Sequence, residues 1–379
     1  MTAALLVAGG FEAGSSLAHA INTVKMAEGF ARLGHRVVIG CVSPPDGRCE
    51  EAALNEVYGI SSPVTWLQTS ARFRGRPVGH RWAFALPTLA GGLRRGARMV
   101  FARNYVLPYL SARLGLPTMV ESHAHPDNED PDFLALLGAT NRPALRGLVT
   151  ISPVLAESYV GKGALAGKII VEPDAVDERL FRRPPRLPAD PLACWPRPRV
   201  VYTGHLYPYK GTDAMLAAAA RLPHVGFHLV GGLPSDRERL AAQIAKMGLQ
   251  NVVLHGQVPH RAVPAYLWHA DVLLLPPSAH HPSAAWTSPV KLGEYMMAET
   301  PVVASDIPAL RHWLDDEMVR FAAPDDGADL ARAISSVLDA PARANSPTVA
   351  ALARAEDWTY RRRAERILRH CNLPIPSPP

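Results

Sequence analysis

The sequence predicts an α/β protein of two doubly wound, parallel-sheet domains facing each other across a cleft. Three observations carry this. Short apolar, β-branched runs alternate with segments of helical periodicity along most of the chain, the pattern of strand–helix–strand units. The alternation breaks at RRPPRLPADPLACWPRPR (182–199), which holds six prolines and no periodicity, and then restarts. The chain has 379 residues, enough for two ordinary domains, and its 48% hydrophobic and 20% charged content is that of a folded protein.

The first domain opens with the buried strand ALLVA. A glycine loop follows, then Leu17, Ile21, Val24, Ala27 and Ala31 at helical spacing. Ser15 or Ser16 is expected to cap that helix and Gly34 to end it. RVVIGCV (36–42), MVFA (99–102), TMVE (118–121), LVTIS (148–152) and KIIVE (168–172) read as further strands. Proline fixes φ and removes a backbone donor, so the proline-rich stretch reads as a semi-rigid linker. The domains are accordingly placed at 1–185 and 199–355, with the linker at 186–198 and a last helix at 356–371. In the second domain RVVYT (199–203), GFHLVGG (226–232), NVVLHG (251–256), DVLLLP (271–276) and PVVAS (301–305) are the strands, with helices near 212–222 and 235–247 between them. The PIPSPP tail reads as disordered. Ligands of such sheets bind at the carboxyl ends of the strands.

The formal net charge is +6, and arginine supplies most of the excess. Arg72, Arg74, Arg76 and Arg81 form one cluster, Arg94, Arg95 and Arg98 a second, and Arg361, Arg362, Arg363, Arg366 and Arg369 a third. These read as solvated faces, or as an attraction for anionic ligands or an anionic membrane surface. Nucleic acid is not an expected partner, because no zinc-finger spacing, helix-turn-helix or aromatic RNA-binding signature accompanies the charge. No apolar run is long enough to span a membrane, and the N-terminus reads as a strand rather than a leader. Four scattered cysteines match no zinc spacing and read as free thiols. A cytoplasmic protein is expected, with contact at the inner face of the membrane left open.

Two segments carry candidate chemistry. In Tyr202-Thr203-Gly204-His205-Leu206-Tyr207-Pro208-Tyr209-Lys210-Gly211 a strand ends, a glycine turns the backbone, and a lysine sits just before a helix. A helix amino terminus attracts anions and Lys210 adds a full charge, which suits a diphosphate; an ordinary turn with an exposed lysine is the alternative. In Trp286-Thr287-Ser288-Pro289-Val290-Lys291-Leu292-Gly293-Glu294, Ser288 is suited to the N-cap and Pro289 to the first helical position. Lys291 in the first turn opposes the helix dipole, which makes sense where an anion binds. Glu294, one turn on, suits two ribose hydroxyls. The alternative is a capped surface helix with a Lys–Glu pair.

Other signals are weaker. His123-Ala124-His125 and His280-His281 lack carboxylates or cysteines at ligand spacing, so no metal is expected. Asp130-Pro131-Asp132 reads as a solvated turn. Gly9-Gly10 followed by Gly14 is not a dinucleotide fingerprint. Arg103 and Asn104 follow MVFA at a carboxyl end, where acceptor binding, diphosphate binding and packing are all open. Asn22 on the first helix is a candidate for reaching an acceptor.

These segments resemble glycosyltransferase family 4, which has the GT-B fold of two Rossmann-like domains. The likeness rests on GHLYPYKG (204–211), TSPVKLGEYMM (287–297) and PVVASDIPAL (301–310). It extends to AINTVKMAEGFARLGHRVV (20–38), PTMVESH (117–123), VEPDAVDERLF (171–181) and DWTYRRRAERIL (357–368), the last resembling a helix that crosses back to the first domain. The resemblance implies that Lys210 binds the donor pyrophosphate, with Gly204 and His205 in the same loop, and that Glu294 holds the ribose. It implies backbone approach to the phosphates at Thr287, Ser288, Pro289 and Val290, with Lys291 also facing phosphate. His123 matches a histidine near the reacting sugar, and Gly9 and Gly10 match a glycine loop close to donor and acceptor. The sequence departs from the family at Trp286, where the first glutamate of its paired motif would contact the donor sugar. His205 stands where many relatives carry arginine.

The implied reaction moves a sugar from a nucleoside diphosphate sugar to a hydroxyl of a glycan, lipid-linked or small-molecule acceptor. It would retain anomeric configuration and need no metal or other cofactor. His123 and Lys210 are the candidate catalytic residues. A nucleotide-sugar 2-epimerase of the same architecture and a non-catalytic sugar-nucleotide-binding protein are the alternatives.

Overall fold

The structure is a computed structural model that describes residues 3–70, 72–73, 76–77, 82–103, 106–128, 142–340 and 346–376. Asn104, Tyr105 and the Asp130-Pro131-Asp132 turn lie outside the described residues. The chain divides into two compact units, Met1–Ala175 with Thr359–Pro379, and Val176–Trp358.

The first unit contains β1 (Ala4–Glu12), β2 (Arg36–Val42), β3 (Val64–Thr69), a two-residue pair β4 (Arg72–Phe73) and β5 (Arg76–Pro77), β6 (Ala97–Ala102), β7 (Thr118–Ser122), β8 (Leu145–Thr150) and β9 (Ile169–Val171). Seven of these form a parallel sheet in the order β3-β2-β1-β6-β7-β8-β9. The continuous apolar run of β1 follows from burial on both faces. Leu5 and Val7 join one core with Phe30, Phe101 and Ile367, while Leu6 and Ala8 join another with Val38, Phe84 and Leu89.

The glycine loop expected after the first strand is not a loop. Gly9 and Gly10 lie inside β1, which runs on because Phe11 is buried in the core beyond them. The first helix spans Ala18–Ala31 with Leu17 at its N-cap position, and neither Ser15 nor Ser16 caps it; the Ser15 hydroxyl instead accepts from the Leu17 amide. Gly34, with φ of 90°, follows the helix end. Leu373 and Ile375, in and beside the tail read as disordered, pack against this core. The last helix, Tyr360–His370, packs on the first.

The second unit contains β10 (Arg199–Thr203), β11 (Gly226–Val230), β12 (Val252–Gly256), β13 (Val272–Leu275), β14 (Val302–Ser305) and β15 (Arg320–Ala322). They form a parallel sheet in the order β12-β11-β10-β13-β14-β15. Helices Thr212–Arg221 and Pro234–Met247 lie where periodicity places them. The units divide between Ala175 and Val176, whereas the sequence reading puts the linker at 186–198. That proline-rich stretch belongs to the second unit for a physical reason. Leu192 and Phe181 are buried, and the Arg199 guanidinium reaches Asp190 at 2.6 Å.

Each sheet starts at an interior strand and reverses direction there, so β1/β6 and β10/β13 are topological switch points. Crevices for ligands open at the carboxyl ends of such pairs.

Candidate functional site

In the second unit the carboxyl end of β10 leads into Gly204–Gly211, and that of β13 into Pro276–Ser278. The two loops are joined, with the Ser278 amide donating to the Tyr209 carbonyl at 3.0 Å. Gly211 is required at this junction. Its φ is 80°, and a Cβ would lie 1.8 Å from the Pro276 carbonyl oxygen. Four rings stiffen the first loop: His205 stacks on Tyr207 at 4.9 Å between centroids, Tyr207 on Tyr209 at 5.4 Å, and Tyr209 on His281 at 4.2 Å.

A small cavity lies at this switch point, lined by Tyr209, Lys210, Ser278, Ser283, Thr287 and Lys291 among others. Lys210 and Lys291 are therefore neighbours although 81 positions separate them. The Lys291 ammonium donates to the Thr203 carbonyl at 2.6 Å and stands over the Tyr202 ring, 3.9 Å from its centroid. Gly204, with φ of 123°, leaves room for it: a Cβ there would come within 2.7 Å of the Lys291 Nζ. Burial, with Lys210 adding repulsion, holds the Lys291 ammonium well below its usual pKa, outweighing the pull of Glu294. Burial lowers Lys210 as well. His205 is lowered by burial and by both lysines. Two cations drawn together with their charge disfavoured make a place where an anion would relieve the strain.

The helix behind them spans Val290–Met297. Pro289, not Ser288, occupies its N-cap position, and no side chain caps it; Ser288 is buried just ahead of the turn. The Trp286 and Thr287 amides both donate to the Ser283 carbonyl, at 3.1 and 2.7 Å, so they close a turn. Tyr295 anchors the helix to β10 by accepting from the Thr203 amide at 2.8 Å. Glu294 does not turn toward Lys291. Its carboxylate lies 3.2 Å from His260 Nε2, and the His260 ring packs on Phe181. Sequence reading missed His260, because nothing around it distinguishes it from a loop histidine.

In the first unit His123 follows β7, Arg103 follows β6, and Gly9 and Gly10 lie in the last part of β1. The centre of this cluster is Glu121. It is fully buried, with Arg363 Nη1 at 2.8 Å, His123 Nε2 at 2.6 Å and Arg103 Nε at 3.5 Å. Burial opposes its ionisation, yet Arg363, Arg103 and His123 together hold its carboxyl well below the ordinary range. Asn22, also buried, donates to Asp174 Oδ1 at 2.6 Å, and the same oxygen is 3.7 Å from His123 Nε2. The arginine run that includes Arg363 reads from sequence as a solvated face or as an attraction for anions. Arg363 is instead the largest fully buried side chain among the described residues, on the inner face of the last helix. Its period within that helix was the available signal: Tyr360, Arg363, Ala364 and Ile367 share one buried stripe.

Ligand atoms of Glu121, His123 and Asp174 lie within 4.8 Å of one another. Their chemistry fits an ion-pair network better than a cation site. Two guanidinium groups face Glu121, and an amide donor already holds the Asp174 oxygen.

Residues 197–340 match the family model described as glycosyl transferases group 1. A 2-deoxystreptamine glucosyltransferase of Streptomyces kanamyceticus is 32% identical over 245 residues, covering 59% of this chain. The match spans 59% of that relative. Among solved structures, Anabaena HepE in complex with UDP and glucose aligns with a TM-score of 0.73 at 17% identity, covering 98% of this chain and 99% of that one. A glycosyltransferase from Rickettsia africae aligns with a TM-score of 0.75 at 14% identity, covering 98% of each chain. The two parallel-sheet α/β units thus have the fold of GT-B glycosyltransferases.

Proposed function

We propose that this chain is a glycosyltransferase that moves a hexosyl group from a nucleoside diphosphate sugar to a hydroxyl acceptor. The observation that carries the reading is the pairing of Lys210 and Lys291 at the β10/β13 switch point, beside the start of helix Val290–Met297. A diphosphate leaving group gains negative charge as the bond from its oxygen to the anomeric carbon breaks. Two ammonium groups poised there stabilise that charge without a metal. Glu294 and His260 would take the ribose hydroxyls. The acceptor oxygen forms the new bond to the anomeric carbon, and its proton passes to the departing phosphate oxygen. Attack on the face that the diphosphate leaves would retain configuration. His123 would contact the reacting sugar, with Gly9, Gly10, Asn22 and Arg103 on the acceptor side.

The relative that acts as a 2-deoxystreptamine glucosyltransferase and the neighbour bound to UDP and glucose favour UDP-glucose as the first donor to test, with aminocyclitols among the acceptors. The positive charge resides in the first unit, which has 22 Lys and Arg against 15 Asp and Glu, while the second has 18 against 19. This favours contact of the first unit with an anionic surface, and we place the protein in the cytoplasm at the inner face of the membrane; sedimentation with anionic and neutral vesicles tests the contact.

The activity test incubates purified protein with UDP-glucose and other nucleotide sugars, with and without acceptors, and follows nucleotide release. Acceptor-dependent release that falls in Lys210→Ala supports transfer. Sugar isomerisation without acceptor would indicate epimerisation, and nucleotide binding without turnover would indicate a binding protein. Either result overturns the proposal.

A further inference from the structure

We propose that Glu121 is a positioning residue that holds His123 in its Nε2–H tautomer, leaving Nδ1 as the acceptor for a hydroxyl of the reacting sugar. The inference rests on the reading of His123 as a sugar contact, but the geometry behind it is separate. Glu121 Oε1 lies 2.6 Å from His123 Nε2, and the second carboxylate of the cluster, Asp174, addresses the same nitrogen at 3.7 Å. A carboxylate only accepts, so the nitrogen between two of them must carry the proton. In a neutral imidazole the other nitrogen is then an acceptor. The His123 side chain keeps 22% of its surface exposed, whereas that of Glu121 has none. The histidine is thus the member that reaches a ligand, and the glutamate acts through it.

Two further residues make the arrangement one-way. Arg363 Nη1 binds Glu121 Oε2 at 2.8 Å, and Arg103 Nε approaches Oε1 at 3.5 Å. They keep Glu121 ionised, so it orients the ring without taking its proton. The Asn22 amide fixes Asp174 in the same sense. Glu121 near the end of β7 and His123 just past it are two positions apart, the spacing that puts side chains of extended backbone on one side.

The test uses the full-length protein with 15N-labelled histidine. Wild type should show the His123 pair of nitrogen shifts of an Nε2–H imidazole, with Nδ1 unprotonated. In Glu121→Gln the side-chain amide can donate to Nε2 and drive the proton to Nδ1. The shifts should exchange, and kcat should fall on the order of a hundredfold or more while KM for the donor changes little. Glu121→Asp, which keeps an acceptor-only group, should retain the wild-type tautomer and recover part of kcat. A wild-type spectrum with Nδ1–H overturns the proposal. So does a Glu121→Gln protein that keeps both its tautomer and its kcat. If Glu121→Gln fails to fold, the wild-type spectrum and Glu121→Asp still decide. The tautomer reading also stands apart from turnover, so failure of the proposed activity is distinguishable from failure of this assignment.

Discussion

The Lys291 ammonium donates to the Thr203 carbonyl oxygen at 2.6 Å, tying the helix Val290–Met297 to the carboxyl end of β10. This contact turns a charge that opposes its own helix dipole toward the loop holding Lys210. Each lysine can make a charge-assisted bond to a diphosphate, worth about 1.5–3 kcal/mol. Lys210→Ala and Lys291→Ala should therefore each lower kcat/KM by roughly tenfold to a hundredfold. Steady-state nucleotide release measures this.

The buried lysine also makes stability depend on pH. Lys291 is held well below 10.5, so between its folded value and 10.5 the unfolded chain binds more protons than the folded one. Stability from this residue then rises with pH through that window. Lys291→Met removes the dependence. The urea midpoint of wild type should gain on that of the variant as pH rises from about 7 to about 10, and an unchanged gap would contradict the assignment.

Glu294 and His260 should act on the ribose. Glu294→Ala should weaken UDP binding by about tenfold, and removing the ribose 2′-hydroxyl from the ligand should weaken wild type but not the variant. Calorimetric titration with UDP and 2′-deoxy-UDP gives both numbers.

Arg363 neutralises a carboxylate that no water reaches. Removing one partner of such a buried pair costs about 3–5 kcal/mol, so Arg363→Met should lose that much stability at neutral pH. The Glu121 pKa is depressed, so its contribution is present above the unfolded carboxylate value of 4.5 and is lost as pH falls through the folded value. Chemical denaturation of wild type and variant should therefore converge in strong acid.

Gly211→Ala should destabilise the second unit by more than about 1 kcal/mol, since the new Cβ meets a backbone carbonyl and the φ is left-handed. Thermal denaturation with and without UDP checks it.

The alternation of strand and helix was legible in the residues themselves. Runs such as ALLVA and DVLLLP are apolar without alternation because both faces of each sheet are covered, as in parallel sheets flanked by helices. The loop lysine and the helix bearing Lys291 and Glu294 were also legible, because glycine and proline mark where strands end and helices start. Partners across the fold were not. Ser288 has the chemistry of a cap, yet Pro289 takes the position once the Trp286–Thr287 turn closes on Ser283. Gly9 and Gly10 look like a loop, yet burial of Phe11 extends the strand through them. Arg363 sits in an arginine run whose neighbours are exposed, and only the helix's docking on the first unit buries it beside Glu121. Local pattern determined which elements form and in what order. Tertiary structure alone decided which charges meet, because an ion pair depends on distance in space, and residues as far apart as Glu121 and Arg363 carry no local sign of it.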